Sequence, residues 1–150
     1  MDAILAEPAA PAREGRLRLA LPASPEGIGD AQPKLRAFLE AHGLPLAKIT
    51  GIELVFEELV MNVFMHGFDD PAGETVSVAV ACDGTSATLV FKDHGRPFDP
   101  VATPPRPMNE TFDEDRPGGL GLRLIQATAT SLAYERLPDG INRVRAFFSA

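Results

Sequence analysis

Three short stretches of this chain carry residue types whose spacing could do chemistry. The first is Glu57-Glu58-Leu59-Val60-Met61-Asn62-Val63-Phe64-Met65-His66-Gly67. Glu58, Asn62 and His66 step by four, so on a helix they share one face. At about 100° per residue that face lies beside the apolar stripe of Ile49, Ile52, Phe56, Leu59, Val60 and Val63, which predicts a semi-buried polar row at the edge of a core. An Asn oxygen can ligate Mg²⁺, a hard cation that takes few protein ligands alongside phosphate oxygens. A carboxylate one turn away could accept a proton from an attacking hydroxyl or orient a water. The plainer alternative is a solvated helix face.

The second stretch is Asp93-His94-Gly95-Arg96-Pro97-Phe98, closing a strand. It reads as ordinary turn chemistry, or as a buried carboxylate that accepts from an exocyclic amine such as adenine's, with Gly95 letting backbone approach the ring. The third is Pro117-Gly118-Gly119-Leu120-Gly121-Leu122-Arg123, opening a helix. Glycines there expose backbone N–H groups that can hold phosphate, although a flexible hinge fits the same residues. A Pro-rich loop rather than a strand precedes them, so this is no Rossmann fingerprint, and no Lys-Ser/Thr follows to make a Walker A loop.

The elements that must position these residues are legible from periodicity. Residues 1–14 have none and read as a mobile tail. Arg16 to Leu21 alternates as a half-buried strand. A helix follows whose start is ambiguous, because Ser24-Pro25 signals an N-cap while Pro33 would break or kink a helix begun there; Pro33 to His42, closed by Gly43, is its secure part. Leu46 to His66 has helical spacing, with Gly67 as a C′ residue. Thr75–Val80 and Ala87–Phe91 around Asp83-Gly84 read as an antiparallel hairpin. Residues 94–117 hold six prolines and form a long irregular segment, the signature of a functional lid or a disordered stretch. Gly118 to Ser131 reads as a helix with Leu122, Leu124, Ile125 and Ala129 inward. Leu132–Glu135 and Arg143–Phe148 close the chain as strands around Pro138-Asp139-Gly140. The order predicts an α+β fold, a two-layer sandwich of a mostly antiparallel sheet with helices on one face.

Composition narrows the classes. The 150 residues, with a net charge of −7, suit one domain over 15–150 and argue against broad nucleic-acid or anionic-membrane binding. A nucleotide stays open, because backbone N–H groups and a metal can hold phosphates. The lone Cys82 excludes an internal disulfide framework and fits a reducing, cytoplasmic setting. The N-terminus lacks a basic, apolar leader, and no run of 18 apolar residues occurs. The 14 Pro and 13 Gly concentrate in the tail, the turns, the lid and the helix mouth.

Taken together, Glu-x-x-x-Asn on a helix, a strand-ending Asp-x-Gly, a lid and a Gly-x-Gly helix start resemble the GHKL (Bergerat-fold) ATP-binding superfamily over residues 15–149. The stretches Glu58 to Gly67 and Gly118 to Leu122 are most similar to its small anti-sigma-factor serine/threonine kinases. The resemblance implies ATP and Mg²⁺ as cofactors. Asn62 would hold Mg²⁺, and Glu58 would be the general base for a protein hydroxyl. Asp93 with Gly95 would read adenine. Gly118, Gly119, Leu120 and Gly121 would cradle the phosphates, and residues 96–117 would be the ATP lid. His66 and Gly67 match the family's frequent His-Gly pair, read here as capping and packing.

Two departures stand out. Where many members open the last strand with Gly-Thr, this chain has Gly140-Ile141-Asn142, making Asn142 the substitute donor. The lid also lacks lysine, so cationic help to the γ-phosphate falls to Arg96, Arg106, Arg116 or Arg123, with Arg116 and Arg123 best placed beside the glycines. The implied function is an anti-sigma factor that phosphorylates a Ser/Thr on a STAS-type antagonist and so controls release of a sigma factor. A homodimer is suggested too, with residues 16–42 as interface material, and neither nucleic acid nor membrane is expected. A non-catalytic ATP-binding partner switch and an α+β protein without nucleotide are the other two readings.

Overall fold

Alternation of apolar and polar residues sets the sheet, and two helices with one apolar stripe each cover it. The computed structural model describes residues 15–102 and 119–149. In chain order the elements are β1 (Gly15–Pro22), α1 (Pro25–Ala41), α2 (Leu46–His66), β2 (Thr75–Cys82), β3 (Ala87–Asp93), α3 (Gly119–Thr128), β4 (Ser131–Leu137) and β5 (Ile141–Phe148). The five strands form one sheet in the order β1-β2-β3-β5-β4, and each neighbouring pair is antiparallel. This is the expected α+β sandwich.

Period-two alternation sends Leu17, Leu19 and Leu21 of β1, Val76, Val78 and Val80 of β2, Leu89 and Phe91 of β3, and Val144, Ala146 and Phe148 of β5 to one face. There they meet Leu35 and Leu39 of α1, Ile49, Ile52, Val55, Phe56, Leu59 and Val60 of α2, and Leu122 and Ile125 of α3. Leu35, Leu39, Ile52, Phe56 and Ile125 are completely buried. Burying a side chain of this size stabilises by about 1.5–3 kcal/mol. Arg36 of α1 bonds both oxygens of Glu53 on α2, through Nε at 3.0 Å and through Nη2, and joins the two helices at their rim.

The helix ends correct several expectations. Helix α1 begins at the Ser24 cap, whose hydroxyl accepts from Gly27 N at 3.0 Å, and Pro33 lies inside it. The break is avoided because Pro33 and Gly29 are both exposed, so the Gly29 carbonyl that lacks its usual donor can turn to water. Gly43 at φ 87° ends α1 in a Schellman turn, with Leu44 N donating to Leu39 O and Gly43 N to Glu40 O. Gly67 ends α2 differently: its φ of −80° is right-handed, so chirality does not select glycine there. Helix α3 stops at Thr128 rather than Ser131, because Ser131 already pairs with Phe147 in the sheet. Leu124 is 41% exposed rather than inward, since the face of α3 that meets the core is set by Leu122 and Ile125. The expected tail 1–14 and most of the expected lid lie outside the described residues.

Candidate functional site

The inward file of the sheet turns polar at one end, where Phe91 and Val144 give way to Asp93 and Asn142, opposite each other in register. Arg136 of β4 pairs with Asn142 on the other side, so three polar residues make one cross-strand row. Asp93 and Asn142 are buried, at 7% and 4% exposure. Burial without partners would cost each group on the order of 1–3 kcal/mol, and the row supplies partners. Asn142 Nδ2 donates to Asp93 Oδ1 at 3.0 Å, to Gly95 O at 3.2 Å and to Arg96 O at 3.0 Å. Its Oδ1 accepts from the Tyr134 hydroxyl at 2.6 Å and from Arg136 Nη1 at 3.0 Å. Arg136 Nη1 also donates to Gly95 O at 2.7 Å, and Gly95 N donates to Asp93 Oδ1 at 2.8 Å. Oδ1 of Asp93 is thus fully engaged, and among the described residues Oδ2 has no donor.

Helix α2 forms the facing wall with Leu59, Asn62, Val63 and the Gly67 cap, which line a cleft with Asp93, Phe98, Pro100 and Asn142. Asn62 is 5% exposed, and its Nδ2 has no hydrogen-bond partner among the described residues. A buried side-chain amide with an open valence thus stands beside the cleft. One turn earlier, Glu58 is half-buried, and burial, then neighbouring Glu57, raise its pKa above the ordinary carboxylate value. The polar row expected from i,i+4 spacing therefore sits at the core edge and not on a solvated face.

Two close approaches fix the geometry. A Cβ at Gly95 would lie 2.8 Å from Gly67 O and 2.9 Å from Gly67 Cα, so two bare backbones meet where the end of α2 abuts the end of β3. Arg96 N donates to Gly67 O at 2.9 Å in the same contact. This packing explains Gly95; at Gly67, which needs no left-handed φ, a Cβ would instead lie 2.7 Å from Val63 O. At the other end, a Cβ at Gly121 would run into the Glu58 carboxylate. The first turn of α3, with its N–H groups free of intrahelical acceptors, is thereby set against Glu58.

Residues 96–102 strap across the cleft. Arg96 bonds His66 O at 3.1 Å and Asp69 at 2.6 Å, Phe98 stacks on His66 at a 4.8 Å centroid distance, and Gln126 of α3 donates to Pro100 O at 3.1 Å. Burial and then the Arg96 charge lower the His66 pKa. Under this strap the cavity volume is about 30 Å³, roughly the space of one water and far less than a purine.

The structure brings Glu58, Asn62, Asp93, Gly95, Gly121 and Asn142 to one side of the molecule, with Gly119 and Leu120 in the first turn of α3. Gly118, Arg106 and Arg116 lie outside the described residues, while Arg123 is half-buried on α3. Arg96, one of the four candidate cations, is spent on His66 and Asp69. Sequence reasoning missed Tyr134, Arg136 and Phe98. The signal for two of them was present: Tyr134 and Arg136 continue the inward period of Leu132 on β4, an unusual place for arginine unless it meets buried acceptors.

A family profile for the histidine kinase-like ATPase domain matches residues 21–148. The chain is 26% identical over 96 residues to an anti-sigma F factor of Anoxybacillus flavithermus, covering 64% of this chain and 66% of that one. It is 27% identical over 93 residues to the serine/threonine-protein kinase BtrW of Bordetella bronchiseptica, covering 62% and 65%. Each match thus spans a little under two thirds of the relative's length. The fold is shared with a crystal structure of the RsbU and RsbW domains of Rv1364c from Mycobacterium tuberculosis, at a TM-score of 0.62 and 16% identity over 90% of this chain and 32% of that one. It is shared also with the SiaB-SiaC complex from Pseudomonas aeruginosa, at 0.55 and 17% over 93% and 92%. With the profile running from the end of β1 through all three helices to the end of β5, the chain belongs to the histidine kinase-like ATPase domain family.

Proposed function

We propose that this chain is an ATP- and Mg²⁺-dependent protein serine/threonine kinase that acts as an anti-sigma factor, phosphorylating a Ser/Thr on a STAS-type antagonist. The observation that carries the reading is the contact between the Glu58 carboxylate and Gly121, which sets a half-buried, raised-pKa acid against a helix mouth one turn from the open amide of Asn62. Relatives named anti-sigma F factor and serine/threonine-protein kinase support it.

The chain's own groups divide the work. Asp93 Oδ2 accepts from the exocyclic amine of adenine while Asn142 and Gly95 N hold Oδ1 still. The first-turn N–H groups of α3 bind phosphate oxygens. Asn62 would hold, through its side-chain oxygen, a metal that takes few protein ligands, its buried amide having no hydrogen-bond partner among the described residues to hold it in another orientation. ATP supplies the transferable phosphoryl group, and Mg²⁺ offsets its charge. Glu58 takes the proton from the acceptor hydroxyl. Added phosphate charge on the antagonist then disrupts its packed contact with this chain.

The test is transfer of labelled phosphate from ATP·Mg²⁺ to a cognate STAS protein. Label on that protein, lost with Glu58→Gln, supports the kinase. A second reading, a non-catalytic nucleotide switch, draws on the engagement of Arg96 and the lack of a lid lysine; calorimetric binding of ATP with no transfer would establish it instead.

A further inference from the structure

The outer face of the sheet takes no part in the nucleotide chemistry, and its charge is unlike that of the rest of the chain. Strand registers put Arg16 and Arg18 of β1, Lys92 of β3, and Arg143 and Arg145 of β5 on that face, with Glu135 of β4 as its acid. A chain of net charge −7 thus gathers five of its 14 Lys and Arg on one surface. Arg143 is paired with Glu135. Among the described residues, Arg16, Arg18, Lys92 and Arg145 have no ion-pair partner, and all four are exposed. Asp83 lies at the rim, its carboxylate occupied by the N–H groups of Thr85 and Ser86.

Between the cations the floor is low. Ala79, Ala81, Thr88 and Val90 cover β2 and β3, and a groove of about 540 Å³ runs over them from Arg16 and Arg18 to Arg145 and Phe147. Three strand spacings separate β1 from β5, about 14 Å in all. An α-helix with its side chains is about 10–12 Å wide. The trough therefore has the width of one helix, an apolar and small-residue bed, and positive charge along both banks.

We propose that this trough is the docking surface for an amphipathic helix of a partner protein, with an apolar stripe flanked by Asp and Glu. The stripe rests on Ala79, Val90 and Phe147, and the acids reach Arg16 and Arg18 on one bank and Arg145 on the other. A second copy of this chain is a poor occupant, because a two-fold contact sets the same cations against each other. A long polyanion meets the net negative charge of the whole molecule. The inference does not depend on the nucleotide reading, since neither the trough nor its banks include a residue of the cleft.

The test uses the full chain and a fluorescent peptide of about five helical turns with a Leu/Ala stripe flanked by glutamates, read by anisotropy. The expected result is saturable, salt-sensitive binding that weakens by about tenfold or more in Arg18→Glu/Arg145→Glu. A peptide with lysines in place of the glutamates should bind that variant better than it binds the parent. Thermal melts check that the variant folds, and Arg18→Gln/Arg145→Gln should give an intermediate loss. Equal binding of a scrambled peptide, an unchanged Kd in the reversed variant, tighter binding of a short DNA duplex, or a dimer that the reversal dissociates would each overturn the proposal.

Discussion

Asn142 Nδ2 donates to Asp93 Oδ1 at 3.0 Å, tying together two buried residues 49 positions apart at the polar end of the sheet's inner face. The same amide holds Gly95 O and Arg96 O, and its oxygen takes Tyr134 and Arg136. Asn142→Ala strands several buried groups at once, so a loss of about 2 kcal/mol is expected. Chemical denaturation measures it, and ATP affinity should fall with it because Asp93 loses its orientation. Tyr134→Phe removes a single donor and should cost about 1 kcal/mol.

Gly95→Ala puts a Cβ against the Gly67 backbone. Backbone cannot yield as a side chain does, and the expected destabilisation is about 1–3 kcal/mol, seen as a lower Tm. A loss well below that range would mean that the ends of α2 and β3 separate without cost.

Gly121→Ala meets only the far end of the Glu58 side chain. Alanine also favours the helix by about 1 kcal/mol over glycine. The fold should survive with little change in Tm while phosphoryl transfer drops sharply, because Glu58 is displaced. Equal losses of stability and activity would point to a packing role alone.

The pH response of Glu58 has a definite sign. Burial and Glu57 raise its folded pKa, so in the window just above the ordinary carboxylate value the folded state holds the proton longer than the unfolded one. Its contribution to stability is then full below the unfolded pKa and is lost as pH rises through the folded value. Transfer activity should run the opposite way, rising with pH as the carboxylate ionises into a base. Glu58→Gln should remove that acid limb from the rate profile along with about 10² or more in rate. His66 has the reverse shift: its contribution is full above the ordinary imidazole value and declines as pH falls toward its depressed pKa.

Much of this was legible in the sequence because it rested on period. The stripe from Ile49 to Val63 placed α2, and the step from Glu58 to Asn62 to His66 placed the polar row beside it. Asp93 closed one strand and Asn142 opened another, and the alternation of both was plain. What stayed hidden depended on contacts far apart in sequence. Local rules read Pro33 as a breaker, yet an exposed Gly29 carbonyl removes the penalty. Gly67 looked like a chiral cap, yet its φ is right-handed and a Cβ there would meet the Val63 carbonyl oxygen at 2.7 Å. Phe98 stacking on His66 had no periodic signature at all.

Nucleotide binding tests the central claim most directly. Calorimetric titration of ATP·Mg²⁺ into the full chain should show saturable binding. Asp93→Asn replaces the free acceptor oxygen by a group that can present a donor, and should weaken binding by about tenfold or more, while GTP, which offers no amine at that ring position, should bind poorly to both. No heat of binding in the parent chain, or the same affinity in Asp93→Asn, would contradict the assignment of this cleft to ATP.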